Sequence, residues 1–316
     1  MALPDRVFLT GASGFVGAHV LRALLAAGYR VRVLVHTPAA FDSDVETIVG
    51  DLRDPGLLAR ALAHCRYLVH TAAQYSFAPR DRRTMWRINV AGTEGLFAAA
   101  HIAGVERAVL TSSSATLGHE DEVHLSHAVG YHESKLLQER VAFASRVPAV
   151  AVLPTAPVGP GDWKPTPTGG MILDFMRGKM IARPPASGGM NLVDVEQVAQ
   201  MHVAALEHGV AGERYVAAGE NLSFDALWDL LAELTGRPAP ALRAPLPLIY
   251  AAAIVDELRC RATGATPFVP LEGVRMSRER MFADVPAERS LGVPVRPVRD
   301  ALSRAVAWYR ECGYAA

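Results

Sequence analysis

Residues 6–17 of the chain are RVFLTGASGFVG, a short apolar run followed by glycine at positions 11, 14 and 17. An apolar helical pattern continues over residues 15–27, so the stretch predicts a strand, a tight turn and a helix. Glycine permits the tight turn and a close backbone approach, while the start of the helix offers free N–H groups and a positive dipole end to a pyrophosphate. We therefore expect a dinucleotide-binding turn here rather than an ordinary structural one.

The first half of the chain repeats this alternation of short apolar runs and longer helical patterns, which is typical of β-α-β crossovers and a parallel sheet. Strands are predicted at residues 6–10, 31–35, 45–50, 67–71, 108–113 and 149–153. Helices are predicted at residues 15–27, 57–64, 84–103 and 131–145. The expected fold class is α/β, with a doubly wound parallel sheet that has helices on both faces.

The composition changes after Pro154, because residues 154–170 hold five of the 21 prolines. We expect this density of proline and glycine to exclude regular helix or strand. Helical patterns follow at residues 171–177, 195–208, 224–234, 246–258, 271–282 and 298–312, with one strand-like run at 214–217. The prediction is a dinucleotide-binding domain of residues 1–156, to which 190–219 return, and a smaller, mainly helical substrate domain of 157–189 and 220–316.

Composition and charge bound the kind of partner. Half of the 316 residues are hydrophobic and the formal net charge is zero. A disordered chain is excluded, and no overall field would attract nucleic acid or an anionic membrane, so we expect a small-molecule partner. The three scattered cysteines predict packing thiols, and the N-terminus has no secretory leader pattern, so we expect a cytoplasmic protein.

Residues 244–255 form the longest nearly uncharged apolar stretch after residue 240. The stretch is well short of the roughly 20 residues that cross a bilayer. We expect a buried helix there, and a membrane-touching face is the alternative.

The end of the second predicted strand indicates which dinucleotide binds. An acid there hydrogen-bonds the ribose of NAD, whereas a cation accommodates the 2′-phosphate of NADP. The chain has Val35, His36 and Thr37 at this point, and its next acid is Asp42. No carboxylate would repel the phosphate and His36 could donate to it. We therefore expect NADP to be preferred and NAD to be possible, with a solvated loop position as the alternative for His36.

Tyr131 and Lys135 stand four residues apart at the start of a predicted helix and therefore share one face. They follow the hydroxyl-rich run TSSSAT at residues 111–116, at the end of the fifth predicted strand. Hydride transfer at a carbinol carbon needs a proton to move at its oxygen. A tyrosine can move that proton when a lysine ammonium favours the phenolate, and a serine hydroxyl can hold the oxygen. We expect a catalytic group rather than an exposed helix face.

Motifs distributed along nearly the whole chain carry a family resemblance. In the first half they are TGASGFVG (10–17), GDLRD (50–54), HTAA (70–73), NVAGTEGL (89–96), TSSSATLG (111–118) and YHESK (131–135). In the second half they are VLPTAPVGPGDWKPTPTGG (152–170), GKM (178–180), NLVDVEQVA (191–199), GERYVAAGENLSF (212–224), LTGRPAP (234–240) and LEGVRMSRERMF (271–282). The chain resembles the extended short-chain dehydrogenase/reductases, and within them the hopanoid-associated sugar epimerase group and the dihydroflavonol 4-reductase-like reductases.

The resemblance implies a Rossmann domain, with the substrate held between it and the C-terminal domain. Tyr131 would be the acid/base and Lys135 its partner and a ligand of the nicotinamide ribose. Ser113 would be the third catalytic member, with Ser114 as the next candidate. The implied cofactor contacts are Gly11, Ser13, Gly14, Phe15, Val16, Gly17, His36, Asp51, Leu52, Thr71, Ala72, Ala73, Asn89, Lys135 and Pro154.

Some of these contacts have a more definite implied place. Asp51 and Leu52 would flank the adenine, and residues 72–73 would border the cofactor on the fourth strand. Asn89 would support the site from its helix, and Pro154 would lie against the nicotinamide.

Two features depart from the pattern of that group. Many of its members carry arginine where this chain has His36, and the segment between Ser113 and Tyr131 is short. A short segment suggests a more open site or an altered substrate. His119, His124 and His127 lie in it without a metal-binding spacing, so we expect a solvated loop and no metal.

The same residues would serve two reactions. An epimerase oxidises a sugar carbinol with tightly held NAD and returns the hydride to the other face, whereas a reductase uses NADPH once on an aldehyde or ketone. The expected NADP preference and the apolar second half favour the reductase, with the nucleotide-sugar or hopanoid-linked sugar epimerase as the alternative. A non-catalytic NADP sensor is a further alternative. The predicted helices at 84–103 and 131–145 are compatible with a homodimer interface.

Overall fold

The computed structural model describes residues 5–38, 41, 45–118, 129–180, 182–183, 188–265, 271, 274, 280–281, 283 and 291–315. These residues form two sheets, a large parallel one and a small mixed one. Two apolar cores flank the large sheet and a third lies around the small one. No helix among the described residues is long and apolar enough to cross a bilayer.

Seven parallel strands form the large sheet: β1 (Arg6–Thr10), β2 (Arg30–Val35), β3 (Val45–Val49), β4 (Tyr67–His70), β5 (Arg107–Thr111), β6 (Ala149–Pro154) and β9 (Arg214–Ala217). Their order across the sheet is β3-β2-β1-β4-β5-β6-β9. The chain order reverses between β1 and β4. The carboxyl ends of these two strands therefore border the crevice in which doubly wound sheets bind their ligands.

Helices cover both faces of the large sheet. The helices α1 (Phe15–Ala26) and α7 (Val195–His208) pack on one face. The other face is covered by α2 (Pro55–Ala61), α4 (Gly92–Ile102) and α5 (Tyr131–Ala144). Most strands are nearly continuous apolar runs because both of their faces are buried. The predicted doubly wound α/β fold is confirmed.

The long helix that is predicted over residues 84–103 contains a π-helical turn. The structure has a short helix α3 (Arg82–Met85), a π-helical turn (Trp86–Ala91) and then α4. The turn carries Asn89, which is fully buried and makes its side-chain hydrogen bonds outside the helix. A π turn widens the helix by one residue, and such turns are frequent at functional sites. The prediction of a long helix over residues 84–103 is confirmed in its extent, but the apolar spacing alone does not reveal the π-helical turn inside it.

The small sheet is centred on β8 (Gly189–Asp194). This strand pairs in parallel with β7 (Ala156–Val158) and β11 (Arg280–Met281), and antiparallel with β10 (Glu220–Ser223). The helices α6 (Pro167–Met176), α8 (Phe224–Thr235) and α10 (Val298–Glu311) enclose the third core. A further helix, α9 (Leu246–Thr263), lies outside that core. Residues 190–219 are predicted to return to the dinucleotide-binding domain. Within them, β9 belongs to the large sheet and α7 to the helix layer on it, whereas β8 belongs to the small sheet.

The expectation that residues 154–170 exclude regular structure is wrong, because β7 and the start of α6 lie within them. Pro167 is compatible with α6 because it occupies the first turn, where no intrahelical N–H bond is needed. Thr166 caps the same helix, since its hydroxyl oxygen accepts from the Gly169 N–H at 3.1 Å. Proline therefore marks the beginning of a helix here rather than its absence.

The strand content of the second half also exceeds the prediction of one strand-like run. The run at residues 214–217 is β9, but four further strands form the small sheet. They are short, and β8 continues directly into α7, so the sequence pattern shows only the helix. Residues 280–281, within the helix predicted at 271–282, form β11, and most of that predicted helix lies outside the described residues.

The expectation of a buried helix at residues 244–255 is wrong as well. The helix exists as α9, but only Ala253 and Cys260 in it are buried. Its apolar residues lie on all sides, so their spacing does not indicate which side packs against the protein. Cys65 is buried too and Cys312 is half-buried.

Candidate active site

The glycine-rich turn after β1 is shaped to receive an anion. Gly11 adopts a positive φ of 80°, and the Gly14 N–H donates to the Gly11 carbonyl at 2.9 Å. The helix α1 then begins at Phe15 with no side-chain cap and no acid in its first turn. The backbone N–H groups at residues 15–17 therefore meet no carboxylate that would compete with a phosphate.

The turn is also pressed against the end of β4. A Cβ atom at Gly11 would lie 2.6 Å from the backbone nitrogen of Ala72, so only glycine fits without displacement. Thr71 donates its hydroxyl to the Thr10 carbonyl at 2.7 Å and thereby ties the two strand ends together. Ser13, Val16 and Gly17 lie in the same turn and helix start, and Ala73 is exposed beside it. The structure thus brings these predicted residues to one place.

The ends of β2 and β3 form the far side of the crevice. His36, at the end of β2, is exposed. At the end of β3, Arg53 donates to both carboxylate oxygens of Asp51, from Nε at 2.9 Å and from Nη2 at 2.5 Å. These hydrogen bonds, with a smaller contribution from the charge of nearby His36, hold the pKa of Asp51 well below its usual range. Leu52 is half-buried between them and α4.

Arg53 was not among the residues predicted for the site. It places a positive charge beside His36 and Asp51, and its side chain is 41% exposed. The signal was present in the motif GDLRD at residues 50–54. The sequence could not show which of the three charged side chains in that motif faces the crevice.

The structure brings the serine, the tyrosine and the lysine to the carboxyl end of β5. Ser113 is buried and starts a short 3₁₀ turn (Ser114–Thr116), with its oxygen accepting from the Ala115 N–H at 3.2 Å. Tyr131 begins α5, and Lys135 follows one helical turn later. The Lys135 ammonium donates to the carbonyl of Thr111 at 2.9 Å, so the lysine joins α5 to the end of β5.

One aromatic ring packs against the tyrosine from the side of β4, and a second ring packs against the first. The ring centroid of Tyr75 lies 4.1 Å from that of Tyr131, and Phe77 packs edge-on against Tyr75 at 5.2 Å. Tyr75 is 41% exposed and therefore lies at the mouth of the site. Neither aromatic residue was predicted, because nothing in the motif HTAA extends to them.

A buried polar chain behind Lys135 was also missed. Lys135 donates to Gln138 Oε1 at 2.9 Å, and Gln138 Nε2 lies 3.0 Å from Thr93 Oγ1 and 3.1 Å from His70 Nε2. Burial, and to a lesser degree the Lys135 charge, lowers the pKa of His70 to about 3. The histidine is therefore neutral and can accept from the glutamine amide.

One turn further along α5, a buried carboxylate supplies the only compensating charge that we find around Lys135 in the described residues. Glu139 accepts from Arg214 Nε at 2.6 Å, from the Thr116 hydroxyl at 2.9 Å and from the Ser112 hydroxyl. Burial lowers the pKa of Lys135 to about 8, and the charge of Glu139 opposes part of that effect. The lysine therefore remains cationic at neutral pH.

Asn89 holds the backbone that follows β4. Its amide oxygen accepts from the Gln74 N–H at 2.7 Å, and its amide nitrogen donates to the Gln74 carbonyl at 2.9 Å and to the Ser134 hydroxyl at 3.0 Å. These bonds connect the π-helical turn, the end of β4 and α5. The supporting role that the resemblance implies for Asn89 stays a prediction.

The second half contributes less to this site than its motifs suggest. Pro154 ends β6, and β7 begins two residues later. Among the polar residues of the second half, Asn191 is buried in hydrogen bonds to Gly219 and Asn221, and Arg183 is paired with Asp225. These two side chains hold the small sheet and its helices together. Lys164 is exposed, Met171 is half-buried and Trp163 is 61% exposed.

No cluster of metal-ligating side chains occurs within the described ranges. The three histidines weighed for a metal, at positions 119, 124 and 127, lie outside those ranges.

Comparisons with known proteins agree with this geometry. The profile of the NAD dependent epimerase/dehydratase family matches residues 7–218. A protein of Synechocystis sp., provisionally named a dihydroflavonol 4-reductase, is 39% identical over 336 residues, covering 99% of this chain and 97% of that protein. Sterol demethylase protein B of Methylococcus capsulatus is 35% identical over 324 residues, covering 96% of this chain and 98% of that protein. The crystal structure of gox2253 matches with a TM-score of 0.82 at 39% identity, covering 99% of this chain and 100% of that one.

These matches cover 96% to 99% of the chain and therefore include both sheets. The chain therefore belongs to the NAD dependent epimerase/dehydratase family of extended short-chain dehydrogenase/reductases, and it is an NAD(P)-dependent oxidoreductase or epimerase.

Proposed function

We propose that this protein reduces a ketone or aldehyde group of an apolar, lipid-type substrate with NADPH. The observation that carries the proposal is the arrangement at the end of β5. There Lys135 is held by the Thr111 carbonyl at 2.9 Å, on the face of α5 that also bears Tyr131. This arrangement supports a role for Tyr131 as proton donor and for Lys135 as a fixed cation beside the crevice between β1 and β4.

The residues around the glycine-rich turn fit a dinucleotide. The space at Gly11 that a Cβ atom would fill, and the uncapped start of α1, suit a pyrophosphate. Gly11, Gly14 and Gly17 would allow the close approach, and the N–H groups of residues 15–17 would bind the phosphate oxygens. Bound there, NADPH would supply the hydride for the carbonyl carbon.

Three side chains would act on the carbonyl oxygen. The Tyr131 hydroxyl would donate the proton that the oxygen takes up, and the Lys135 ammonium would stabilise the phenolate left behind. The Ser113 hydroxyl would hold the oxygen in place and stabilise the negative charge that develops on it. Gln138 would keep the lysine in position, because its amide oxygen accepts from the ammonium inside the protein.

The end of β2 supports NADPH over NADH. The residues described there, His36 and Thr37, carry no carboxylate and are exposed. Asp51, the acid that follows β3, accepts from Arg53 through both oxygens, so the charges of this pair compensate each other. His36 would then be available to a 2′-phosphate, and Arg53, whose side chain is 41% exposed, would add a further N–H donor. We expect NADPH to bind more tightly than NADH, and His36→Asp to reverse the preference in a fluorescence titration.

The substrate class rests on two observations. Tyr75 and Phe77 form an apolar edge beside Tyr131, which suits a hydrocarbon skeleton better than a sugar. One similar protein is named for sterol demethylation and another for reduction of a flavonoid ketone. Both kinds of substrate are largely apolar ring systems that carry an oxygen function.

The deciding assay follows NADPH oxidation with a panel of apolar ketones and aldehydes, beside isomer analysis of nucleotide sugars with catalytic amounts of NAD. Steady NADPH consumption with an apolar carbonyl is expected. Isomer formation without net cofactor consumption would instead establish an epimerase. Tyr131→Phe should abolish turnover and leave cofactor binding unchanged.

Tyr29→Phe is the matched control for that substitution. The Tyr29 hydroxyl donates to Glu207 at 3.2 Å, and the residue lies at the opposite end of the sheet, just before β2. Its loss should leave turnover intact. Full activity in Tyr131→Phe would refute the proposed chemistry, and binding of NADPH without turnover on any substrate would favour a sensor.

A further inference from the structure

The helix α9 exposes an unusual amount of apolar surface. Five of the twelve exposed large hydrophobic side chains in the described residues lie between positions 242 and 258. On α9 itself, Leu248, Val255 and Leu258 are 64%, 66% and 60% exposed. Scattered single exposures are ordinary, whereas a concentration of this kind marks an interaction surface.

These side chains form one continuous face. Leu248, Ala251, Val255, Leu258 and Ala262 are all exposed and follow each other at intervals of three, four, three and four residues. This spacing aligns them along the side of the helix that lies opposite the buried Ala253 and Cys260. We call this set the outer face of α9. No charged residue interrupts it.

The charged residues of α9 neutralise each other beside that face. Arg259 pairs with Asp256 at 2.7 Å, and Arg261 pairs with Glu257 at 2.6 Å. The helix thus presents an apolar face, and the charged residues beside that face neutralise each other.

A group of arginines lies at the C-terminal end of α9. Arg80 donates to the Gly264 carbonyl, directly after the helix, and so ties the turn at residues 79–81 to it. Arg82, Arg83 and Arg87 follow, are exposed and form no ion pair within the described part of the chain. Asp81, the acid of residues 80–87, lies 3.8 Å from Arg80, so Arg82, Arg83 and Arg87 are a local positive excess in a chain of zero formal net charge.

We propose that the outer face of α9 and the arginines of residues 80–87 together dock the protein on the surface of an anionic lipid bilayer. An apolar helix face inserts at the boundary between headgroups and acyl chains, and adjacent arginines bind the anionic headgroups. Zero net charge does not oppose this, because surface binding depends on the local charge within about 10 Å. The surface goes beyond the proposed reaction and does not depend on it.

A second copy of the chain fits the surface less well. A two-fold contact places the same patch on both subunits, so each arginine group would meet either the partner's apolar face or the partner's arginines. No acidic patch is available on α9 to compensate them, since Asp256 and Glu257 are already paired. An anionic bilayer satisfies the apolar face and the arginines at once.

The docking surface adjoins the mouth of the site. Arg80 follows Tyr75 by five residues, and the Tyr75 ring lies 4.1 Å from that of Tyr131. An apolar substrate leaving the bilayer would therefore meet Tyr75 first. This last step rests on the proposed function, whereas the docking itself does not.

Vesicle sedimentation with the purified full chain tests the proposal. Binding is expected to vesicles of phosphatidylglycerol and phosphatidylcholine, with much weaker binding to phosphatidylcholine alone and a loss of binding at high salt. The pair Val255→Asp and Leu258→Asp should weaken binding about tenfold or more, because it places carboxylates in the apolar face. The pair Arg82→Glu and Arg83→Glu should weaken it to a similar degree and flatten the salt dependence.

Matched controls separate these effects from loss of folding. Val210 is 60% exposed but lies between α7 and β9, so Val210→Asp should bind vesicles normally. Arg30 is exposed at the start of β2, at the opposite end of the sheet from the crevice, and Arg30→Glu should also bind normally. Circular dichroism confirms that each variant is folded.

Three results would overturn the proposal. The first is that the protein does not bind anionic vesicles. The second is that Val255→Asp and Val210→Asp weaken vesicle binding equally. The third is that the protein is a dimer in solution and that Val255→Asp converts it to monomers. The last result would assign the face to a contact between copies. The assay measures no turnover, so failure of docking is distinguishable from failure of the proposed reaction.

Discussion

The side chains of Lys135 and Gln138 are joined inside the protein, where the lysine ammonium donates to the glutamine amide oxygen at 2.9 Å and both residues are buried. Because this bond fixes the orientation of the amide, the Gln138 nitrogen donates toward His70 Nε2 at 3.1 Å. On the other side of the ring, His70 Nδ1 lies 2.7 Å from the Thr10 hydroxyl oxygen. A line of hydrogen bonds thus connects α5 to the strand that precedes the glycine-rich turn.

Substitutions of Gln138 should move the pH dependence of turnover in opposite directions. Gln138→Leu removes a neutral acceptor from the ammonium, so the pKa of Lys135 should fall further. The alkaline limb of the kcat/KM profile should then shift down by about one pH unit. Gln138→Glu places a negative charge beside the ammonium and should shift the limb up.

The control for this pair is Gln197→Leu. Gln197 is buried like Gln138 and bonds to the Ala218 carbonyl at 2.7 Å, but it lies on α7 away from the lysine. It should lower stability without moving the limb. The other groups around Lys135, namely Glu139 with its partner Arg214 and the neutral His70, are unchanged in all three variants. Equal shifts in Gln138→Leu and Gln138→Glu would show that the amide only packs.

Glu139→Gln should destabilise the fold strongly. The carboxylate is 3% exposed and pairs with Arg214, which is 22% exposed, so its loss leaves a largely buried guanidinium without a countercharge. We expect the free energy of unfolding in urea to fall by about 3 to 5 kcal/mol. Glu106→Gln breaks a surface pair with Arg66 at 2.8 Å and should have no measurable effect. Comparable losses in both variants would contradict a special role for burial.

Stability should depend on pH through Lys135. Burial lowers its pKa in the folded state from an ordinary 10.5 to about 8. Below pH 8 the lysine is protonated in both states and contributes no slope. Between these two values the unfolded chain binds one more proton than the folded chain, so the free energy of unfolding rises with pH.

The comparison with Lys135→Met isolates that contribution. The free energy of unfolding of the natural chain, relative to the variant, should increase by up to about 3 kcal/mol between pH about 8 and 10.5. Urea titrations of both proteins across this range measure it, and other titrating groups cancel in the difference. A constant difference would mean that the lysine keeps its ordinary pKa when buried.

The sequence predicted those parts of the site that depend on local pattern. The turn at Gly11 and the pairing of Tyr131 with Lys135 on one helix face follow from spacing within a few residues. Gln138 with His70, and Glu139 with Arg214, are 68 and 75 residues apart, and their contacts arise only once α5 packs on the sheet. No spacing rule connects them.

The errors in the second half have the same origin. Residues 244–255 are apolar on every side, and composition alone cannot tell a helix that packs inside from one that faces outward. Proline at position 167 appeared to break structure, whereas it begins α6. Both outcomes depend on what lies next to the segment rather than on the segment itself.

Gly11→Ala should abolish tight cofactor binding. The residue has a φ of 80°, and an added Cβ atom would lie 2.6 Å from the Ala72 nitrogen, so the turn must shift. We expect the Kd for NADPH to rise at least about tenfold, by fluorescence titration. Gly28→Ala is the control, because Gly28 has a similar φ of 86° with nothing within 4 Å of the added atom. It should lower the free energy of unfolding by about 1 kcal/mol and leave Kd unchanged. Similar binding in both variants would exclude the close approach as the cause.

Tyr75→Ala should reduce turnover through Tyr131. Removing the ring takes away a contact whose centroid distance is 4.1 Å, and aromatic pairs of this kind contribute about 0.5 to 1.5 kcal/mol to fixing each other. We expect kcat to fall up to about tenfold, because the phenol is then held less firmly against the carbonyl oxygen. Tyr75→Phe retains the ring and should keep kcat. Tyr75 is 41% exposed in the natural chain, so neither substitution should affect folding appreciably. If Tyr75→Ala raises KM for apolar substrates and leaves kcat unchanged, the ring acts on substrate binding alone and does not position Tyr131.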